Sequence, residues 1–361
     1  MSKGKAYRGG ERDIILKVLS FFEKEIQKET YGPRLGEIYE RELIISVGQN
    51  RDSDSTELET YIENDLCVGM KFRAVMMDSG PMREFSNIVT TISKLSKESV
   101  LRIADDKLYF IVCDESSGPT PLVLWCEIPQ RIFFAEYQMV GLDNEHKDIY
   151  LGMNSGNLAK LLGTLKTAKS LKMKLTKKQC PCLTLEIESA SSTSQQTRNV
   201  THDIPVIVIP RKVWPELQEP KTPEPDISIE LPLLKQLRTT IDRMKTMATE
   251  VVLWASAEGR LTLQIKTDMA KVSTRFKELR VEAFGGPIEH SDSEPESQVN
   301  EDTSKLCYCR VDAKKFSMFL SADQISHNKT VCKMVHKKLV ILCLETEQDV
   351  KLQCFISGIV Y

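Results

Sequence analysis

One pattern constrains this chain more than any other. A strand-like run, a helix-like run and several further strand-like runs recur in the same order four times. A bridge with prolines at 215, 220, 223 and 225 divides the four units into two pairs. Proline has no N–H to give a β-ladder, so Val200–Pro232 cannot be one central strand. It reads instead as an extended link between two folded halves, with β-like runs at Ile204–Ile209 and Asp226–Leu231 on either side.

In the first unit the spacing predicts a strand over Met70–Met77 and a helix over Pro81–Lys97. Strands follow over Val100–Ala104, Lys107–Cys113, Leu122–Ile128 and Glu136–Val140. The second unit has strand Asp148–Met153, helix Gly156–Ala168 and strands Ser170–Leu175, Cys182–Glu188 and Ile204–Ile209. The third has strand Asp226–Leu231, helix Leu233–Ala248 and strands Glu250–Ala255, Arg260–Thr267 and Lys271–Leu279. The fourth has strand Leu306–Val311, helix Ala313–Ala322 and strands Thr330–Val335, Leu339–Glu345 and Val350–Ile356. The expected domains are 70–210 and 227–361, joined by a connector over 211–226. An acidic, disordered loop is expected over about 281–304. Ahead of them, 1–69 reads as an accessory extension, with an amphipathic helix over Glu11–Glu29 and then a flexible part.

Charge is unevenly spread. The whole chain of 361 residues carries −2, residues 1–69 carry −4 and residues 281–303 carry −7, which leaves the patterned body at +9. A basic body permits a polyanionic partner. The four helices sharpen this. In Leu233–Ala248, Leu233, Leu237, Ile241 and Met244 fall on one side, with Lys235, Arg238 and Lys245 opposite and Arg243 flanking them. On the second helix Lys160 points away from the apolar face, with Lys166 and Lys169 towards the flanks. Arg83, Lys94 and Lys97 lie on the exposed side of the first, and Lys314 and Lys315 project from the last. A charged outer face is ordinary for one helix, but four helices with the same sign make a surface suited to phosphate. Such a surface holds the nucleic-acid backbone without reading bases.

Other chemistry is sparse. No apolar run reaches the ~20 residues of a membrane helix. The start has no apolar segment of the secretory kind. Ten cysteines without a framework spacing read as reduced thiols of an intracellular protein, and the sequons at Asn199 and Asn328 are then incidental. Cys180 and Cys182, like Cys307 and Cys309, form C-x-C pairs that read as packed thiols rather than metal ligands. His202 beside Asp203 has no nucleophile tied to it, and no Walker-type or dinucleotide glycine loop is present. The expectation is no enzyme, no cofactor and no metal. Ser291 and Ser293 sit just ahead of acidic residues, a context that suits an acidophilic kinase.

Particular strings resemble one family. They are MKFRA (70–74), DKLYFIVCD (106–114), LWCE (124–127), FFAEYQMVG (133–141), THDIPVIVIPRKVW (201–214), LQEPKTPEPDISIELPLLK (217–235) and QDVKLQCFIS (348–357). Together they resemble the Hus-one-type subunit of the nine-one-one DNA-damage checkpoint sliding clamp, over residues 70–361. The resemblance implies an α+β sliding-clamp (PCNA-like) fold. Each of its two domains is built from two strand–helix–strand repeats, with antiparallel sheets outside and helices inside. The 1–69 extension lies outside the usual subunit. The implied role is one of three different subunits in a ring around double-stranded DNA. An ATP-dependent loader places the ring at primer–template junctions near damage. It acts in the nucleus, with room for a cytoplasmic pool, as a scaffold for checkpoint kinase signalling and repair enzymes. The kinase-activating tail belongs to a partner subunit, and nothing comparable follows Tyr361. The DNA-facing residues would be Lys94, Lys97, Lys160, Lys166, Lys235, Arg238, Arg243 and Lys245. Trp214 and Leu217 would anchor the connector beside a peptide groove. The competing readings are a homotrimeric replication clamp and a metal-dependent nuclease or phosphoesterase, the latter lacking any visible acidic cluster for Mg²⁺.

Overall fold

The computed structural model describes residues 70–114, 122–140, 147–190, 197–285 and 306–359. They belong to a compact unit, Gly69–Tyr361. The Glu11–Glu29 helix, Ser291 and Ser293 lie outside the described residues.

The first half opens with β1 (Lys71–Met76), α1 (Ser79–Leu95), β2 (Glu98–Ile103), β3 (Lys107–Asp114) and β4 (Leu122–Pro129). A single turn, α2 (Gln130–Phe133), leads to β5 (Glu136–Val140). Then come β6 (Ile149–Asn154), α3 (Ser155–Leu162), a 3₁₀ turn (Gly163–Thr167), β7 (Ala168–Lys177), β8 (Pro181–Ala190) and β9 (Thr197–Pro205). The two-residue strand β10 (Ile207–Val208) and a 3₁₀ turn (Arg211–Glu216) begin the connector. The second half repeats the order with β11 (Ile227–Glu230), α4 (Leu234–Met244), β12 (Glu250–Ser256), β13 (Arg260–Lys266), β14 (Lys271–Phe276) and β15 (Val281–Phe284). It ends with β16 (Leu306–Asp312), α5 (Ala313–Phe319), a 3₁₀ turn (Leu320–Gln324), β17 (Lys329–Val335), β18 (Leu339–Glu345) and β19 (Lys351–Ser357).

The strands form three antiparallel sheets. Their orders are β5-β1-β7-β8-β9, then β10-β6-β2-β3-β4-β19-β18-β17-β11-β15, and β14-β13-β12-β16. The ten-stranded sheet crosses the two halves at β4 and β19, where Leu124 faces Cys354 and Cys126 faces Leu352. Strict alternation explains why these runs are strands: β12, for example, buries Val251, Leu253 and Ala255 and leaves Val252 and Trp254 on the other face.

The helices cover the inner faces of the sheets. α1 buries Met82, Phe85, Ile88, Val89, Ile92 and Leu95, at helical spacing. Each such side chain contributes about 1.5–3 kcal/mol of apolar burial. α1 ends at Leu95 because Ser96 turns extended, its N–H still bonded to Ile92 O. α3 is capped by Asn154, whose Oδ1 accepts from Asn157 N at 3.0 Å, and α5 by Asp312, whose Oδ1 accepts from Lys315 N at 2.9 Å.

Four details differ from the sequence expectation. The Ile204–Ile209 run is not one strand: Thr197–Pro205 pairs with β8 and Ile207–Val208 pairs with β6, so the chain changes sheets at Val206. The acidic stretch begins inside the fold, because Val281–Phe284 pairs with β11. Leu233 is 69% exposed; α4 starts one residue later and Leu234 is buried instead. Lys315 is 1% exposed and does not project, because α5 is short and its first turn sits on the core.

Candidate nucleic-acid interface

The helices lie in a row that ignores the boundary between halves. α3 packs on α1, α1 meets α5 and the 3₁₀ turn Leu320–Gln324, and these pack on α4. The junction between halves is polar. Asn87 Nδ2 donates to Gln324 O at 3.4 Å, and Gln324 Nε2 donates to Thr91 Oγ1 at 3.2 Å.

The solvent side of this row has one sign. Arg83 and Lys94 on α1, Lys160 on α3, Lys235 and Arg243 on α4 and Lys314 on α5 are exposed. The only acids on these four helices are Glu84 and Asp242, and neither is exposed. Glu84 is buried, and burial pushes its carboxyl up against the opposing pull of Arg83, a backbone bond at Ser326 and His327. Lys97 and Lys166 are exposed in the turns that end α1 and follow α3. Ser155 fixes the first of these turns: its hydroxyl donates to Ser96 O at 2.6 Å and its N–H to Lys97 O at 2.8 Å. Thus Lys97 is held at the start of α3.

Two of the eight expected cations have partners inside the chain. Arg238 Nη1 donates to both carboxylate oxygens of Asp323, at 3.0 and 3.1 Å. Lys245 Nζ donates to Asp242 Oδ1 at 2.6 Å and to Ser317 Oγ at 2.9 Å, and Ser317 Oγ donates to the same Asp242 oxygen at 2.9 Å. These bonds tie α4 to α5 and to the turn after it. Partial burial raises the Asp242 carboxyl, but the bonds from Lys245 and Ser317 and the charges of Lys245 and Arg238 hold it below its ordinary value overall. The sign follows: this stabilisation is present above the unfolded value of about 3.9 and is lost as pH falls through the depressed folded value. A single helix wheel can show the contacts of Arg238 and Lys245 with Asp242, four and three residues away, but not those with Asp323 and Ser317, which come from other elements.

The connector is fastened at its start. The Trp214 ring stacks on Tyr150 of β6 with centroids 4.7 Å apart, and its Nε1 donates to Ile209 O at 3.0 Å. Gln218 Nε2 bonds both Tyr150 Oη at 3.0 Å and Trp214 O at 2.9 Å. Leu217 is half-buried, its N–H on Trp214 O at 3.1 Å. Glu219 and Lys221–Glu224 are exposed. His202 and Asp203 lie on β9, where Asp203 accepts from Thr184 Oγ1 at 2.6 Å and pairs with Lys178. Those contacts account for Asp203 without a catalytic role. Cys307 and Cys309 are both fully buried on β16, and burial pushes each thiol up to about 12.

The internal junction has a counterpart at the two free ends. β4 is the third strand after the first helix of half one, and β19 is the last strand of half two. The same positions in the other halves are β14 and β9. Each stands at the edge of its sheet, paired on one side only.

Residues 70–360 match the family model described as "Hus1-like protein". The chain belongs to the Hus1-like family. "Checkpoint protein HUS1" of Homo sapiens is 41% identical over 290 residues, 80% of this chain and 100% of that protein. "Checkpoint protein Hus1-like" of Drosophila melanogaster is 31% identical over 293 residues, 80% of this chain and 99% of that protein. Among solved structures, PCNA from Thermococcus kodakaraensis aligns with a TM-score of 0.57 at 13% identity, over 80% of this chain and 100% of that one. Proliferating Cellular Nuclear Antigen from Entamoeba histolytica gives 0.57 at 15%, over 80% and 99%. These two give the fold alone, and it is the sliding-clamp fold that the repeats and quoted strings imply. The Hus1-like assignment begins at residue 70, so residues 1–69 stand ahead of the family segment.

Proposed function

We propose that this chain is one of three different subunits of a nine-one-one-type ring that encircles double-stranded DNA. It serves in the nucleus as a non-catalytic scaffold for checkpoint signalling and repair. The observation that carries this reading is the helix row whose solvent side bears cations and no exposed acid. Lys94, Lys97, Lys160, Lys166, Lys235 and Arg243 meet phosphate directly. Arg238 and Lys245 act second to their structural pairing. A ring needs topological retention rather than tight binding, so mobile lysines that release counterions suit sliding.

Closure uses the open edges. β14 of one subunit pairs with β9 of its neighbour, as β4 pairs with β19 inside the chain. Pairing also removes both exposed edges. An ATP-dependent loader opens one such joint at a primer–template junction. The connector around Trp214 and Leu217 runs on the outside, where repair enzymes dock beside it. Ser291 and Ser293 lie in the acidic stretch as acidophilic kinase targets.

Assembly tests the reading. Mixed with two different clamp subunits, the chain should give a complex with one copy of each by native mass measurement, and alone it should not form a trimer. A stable self-trimer would establish the homotrimeric alternative. Asp242 gives a second test with two signs. Asp242→Asn should lower stability by roughly 1 kcal/mol, through lost bonds to Lys245 and Ser317. It should also strengthen DNA binding a few-fold, because Arg238 and Lys245 lose a competing anion. Thermal melting and DNA titration read the two effects separately, and weaker DNA binding by a folded variant would refute this use of α4.

A further inference from the structure

One pair of thiols is set apart from the rest. Cys180 Sγ and Cys182 Sγ lie 3.7 Å apart at the tip of the hairpin joining β7 and β8. A tight turn brings them together: Lys178 N bonds Cys180 O at 3.1 Å, and Pro181 gives the turn a fixed φ with no N–H to leave unpaired. Cys180 lies in the turn rather than in the ladder, and it is half-buried, while Cys182 is 4% exposed. Of the other seven described cysteines, six are buried; Cys113, half-buried, is the exception.

We propose that Cys180 and Cys182 form a reversible dithiol–disulfide couple, closed by a peroxide-class oxidant. The Cys180 sulfur attacks one peroxide oxygen; the O–O bond breaks, the sulfur becomes a sulfenic acid, and water leaves. The Cys182 sulfur then attacks the Cys180 sulfur. An S–S bond forms, the S–O bond breaks, and the departing hydroxide takes the Cys182 proton as a second water. The two thiols lose two electrons and the peroxide gains them. The roles follow from exposure: Cys180 meets the oxidant, and Cys182 resolves. Burial first, then the bond with Cys180, pushes the Cys182 thiol up to about 11, which keeps it protonated until a partner sulfur is oxidised. A two-residue spacing makes a small, strained ring, so the bond is easily reduced. That suits a labile couple rather than a structural bridge. Its position also matters, because Pro181 O accepts from Val206 N at 3.0 Å, where the chain leaves β9.

The test uses the full-length chain, treated with hydrogen peroxide, blocked with an alkylating agent and digested with trypsin. The peptide Gln179–Arg198 contains these two cysteines and no other. Without oxidant it should carry two alkyl groups. With oxidant it should carry none and be lighter by two hydrogens, and prior dithiothreitol should restore both groups. Closure should outpace modification of Cys113 by about tenfold, since a neighbouring thiol intercepts the oxidised sulfur. In Cys182→Ser, Cys180 should instead be captured by a sulfenic-acid reagent. The proposal is overturned if both groups persist at a dose that modifies Cys113. A link between two chains, or Cys180 driven to sulfinic acid while Cys182 stays alkylated, overturns it equally.

Discussion

Ser273→Pro is expected to fold normally and to fail to join a ring. The argument rests on which way each N–H of β14 points. Thr267 N bonds Ala270 O at 2.9 Å, which makes these two a hydrogen-bonded pair at the hairpin turn. Bonded and non-bonded pairs alternate in an antiparallel ladder. With the register Ile265–Val272, Gln264–Ser273 and Leu263–Thr274, the N–H groups of Val272 and Thr274 turn towards β13, and that of Ser273 turns out of the sheet. A proline at 273 thus removes a group that the chain itself does not use, and an edge strand tolerates it. The same reasoning applies to β9. Val206 N bonds Pro181 O, so the pairs alternate back from there and the Thr201 N–H also faces outwards. Pro205 obeys the same rule by nature. Each substitution should cost the joint roughly 3 kcal/mol, about a 100-fold loss of association. Thr274→Pro is the control: it should damage folding instead. Melting temperature and co-purification with partner subunits separate the outcomes. Normal assembly by a folded Ser273→Pro chain would show that β14 is not a joint.

Reversing Lys94, Lys160, Lys235 and Arg243 together to glutamate is expected to leave folding and assembly intact and to remove most DNA binding. All four are exposed on the helix row, and none has a bond whose loss would strain the core. Four lost phosphate contacts should lower affinity roughly 100- to 1,000-fold at about 0.15 M salt. They should also flatten the dependence of log K on log salt by roughly 3 to 4 units. Arg238→Glu should behave otherwise. It opposes Asp323 and Asp242, so its first effect is a lower melting temperature. If the fourfold variant holds DNA like the parent, the helix row is not the inner wall.

Much of this arrangement was legible in the sequence, for identifiable reasons. Among the described residues, periodicity located every long helix and nearly every strand, because each is half-buried and alternates accordingly. What escaped depends on contacts between distant segments. The start of α4 was misplaced by one residue because Leu233 and Leu234 both fit the wheel, and only packing decides between them. Lys315 reads as surface on any wheel, yet its turn is pressed into the core. Besides the nearby Asp242, Arg238 and Lys245 have partners in the following unit, Asp323 and Ser317, more than seventy residues away. β15 hides in an acidic stretch whose composition outweighs four residues that complete a sheet.

The change of sheet at Val206 has a mechanical meaning. β9, the strand assigned to the joint, passes within one residue into β10, which is sewn to β6 beside the Trp214–Tyr150 stack. Joint and strap are therefore links in series. In the proposed ring, tension that prised a neighbour from β9 would be carried along the backbone into the base of the connector, and a client gripping the connector would pull back along the same line. A ring made this way would report its own opening at the base of the connector.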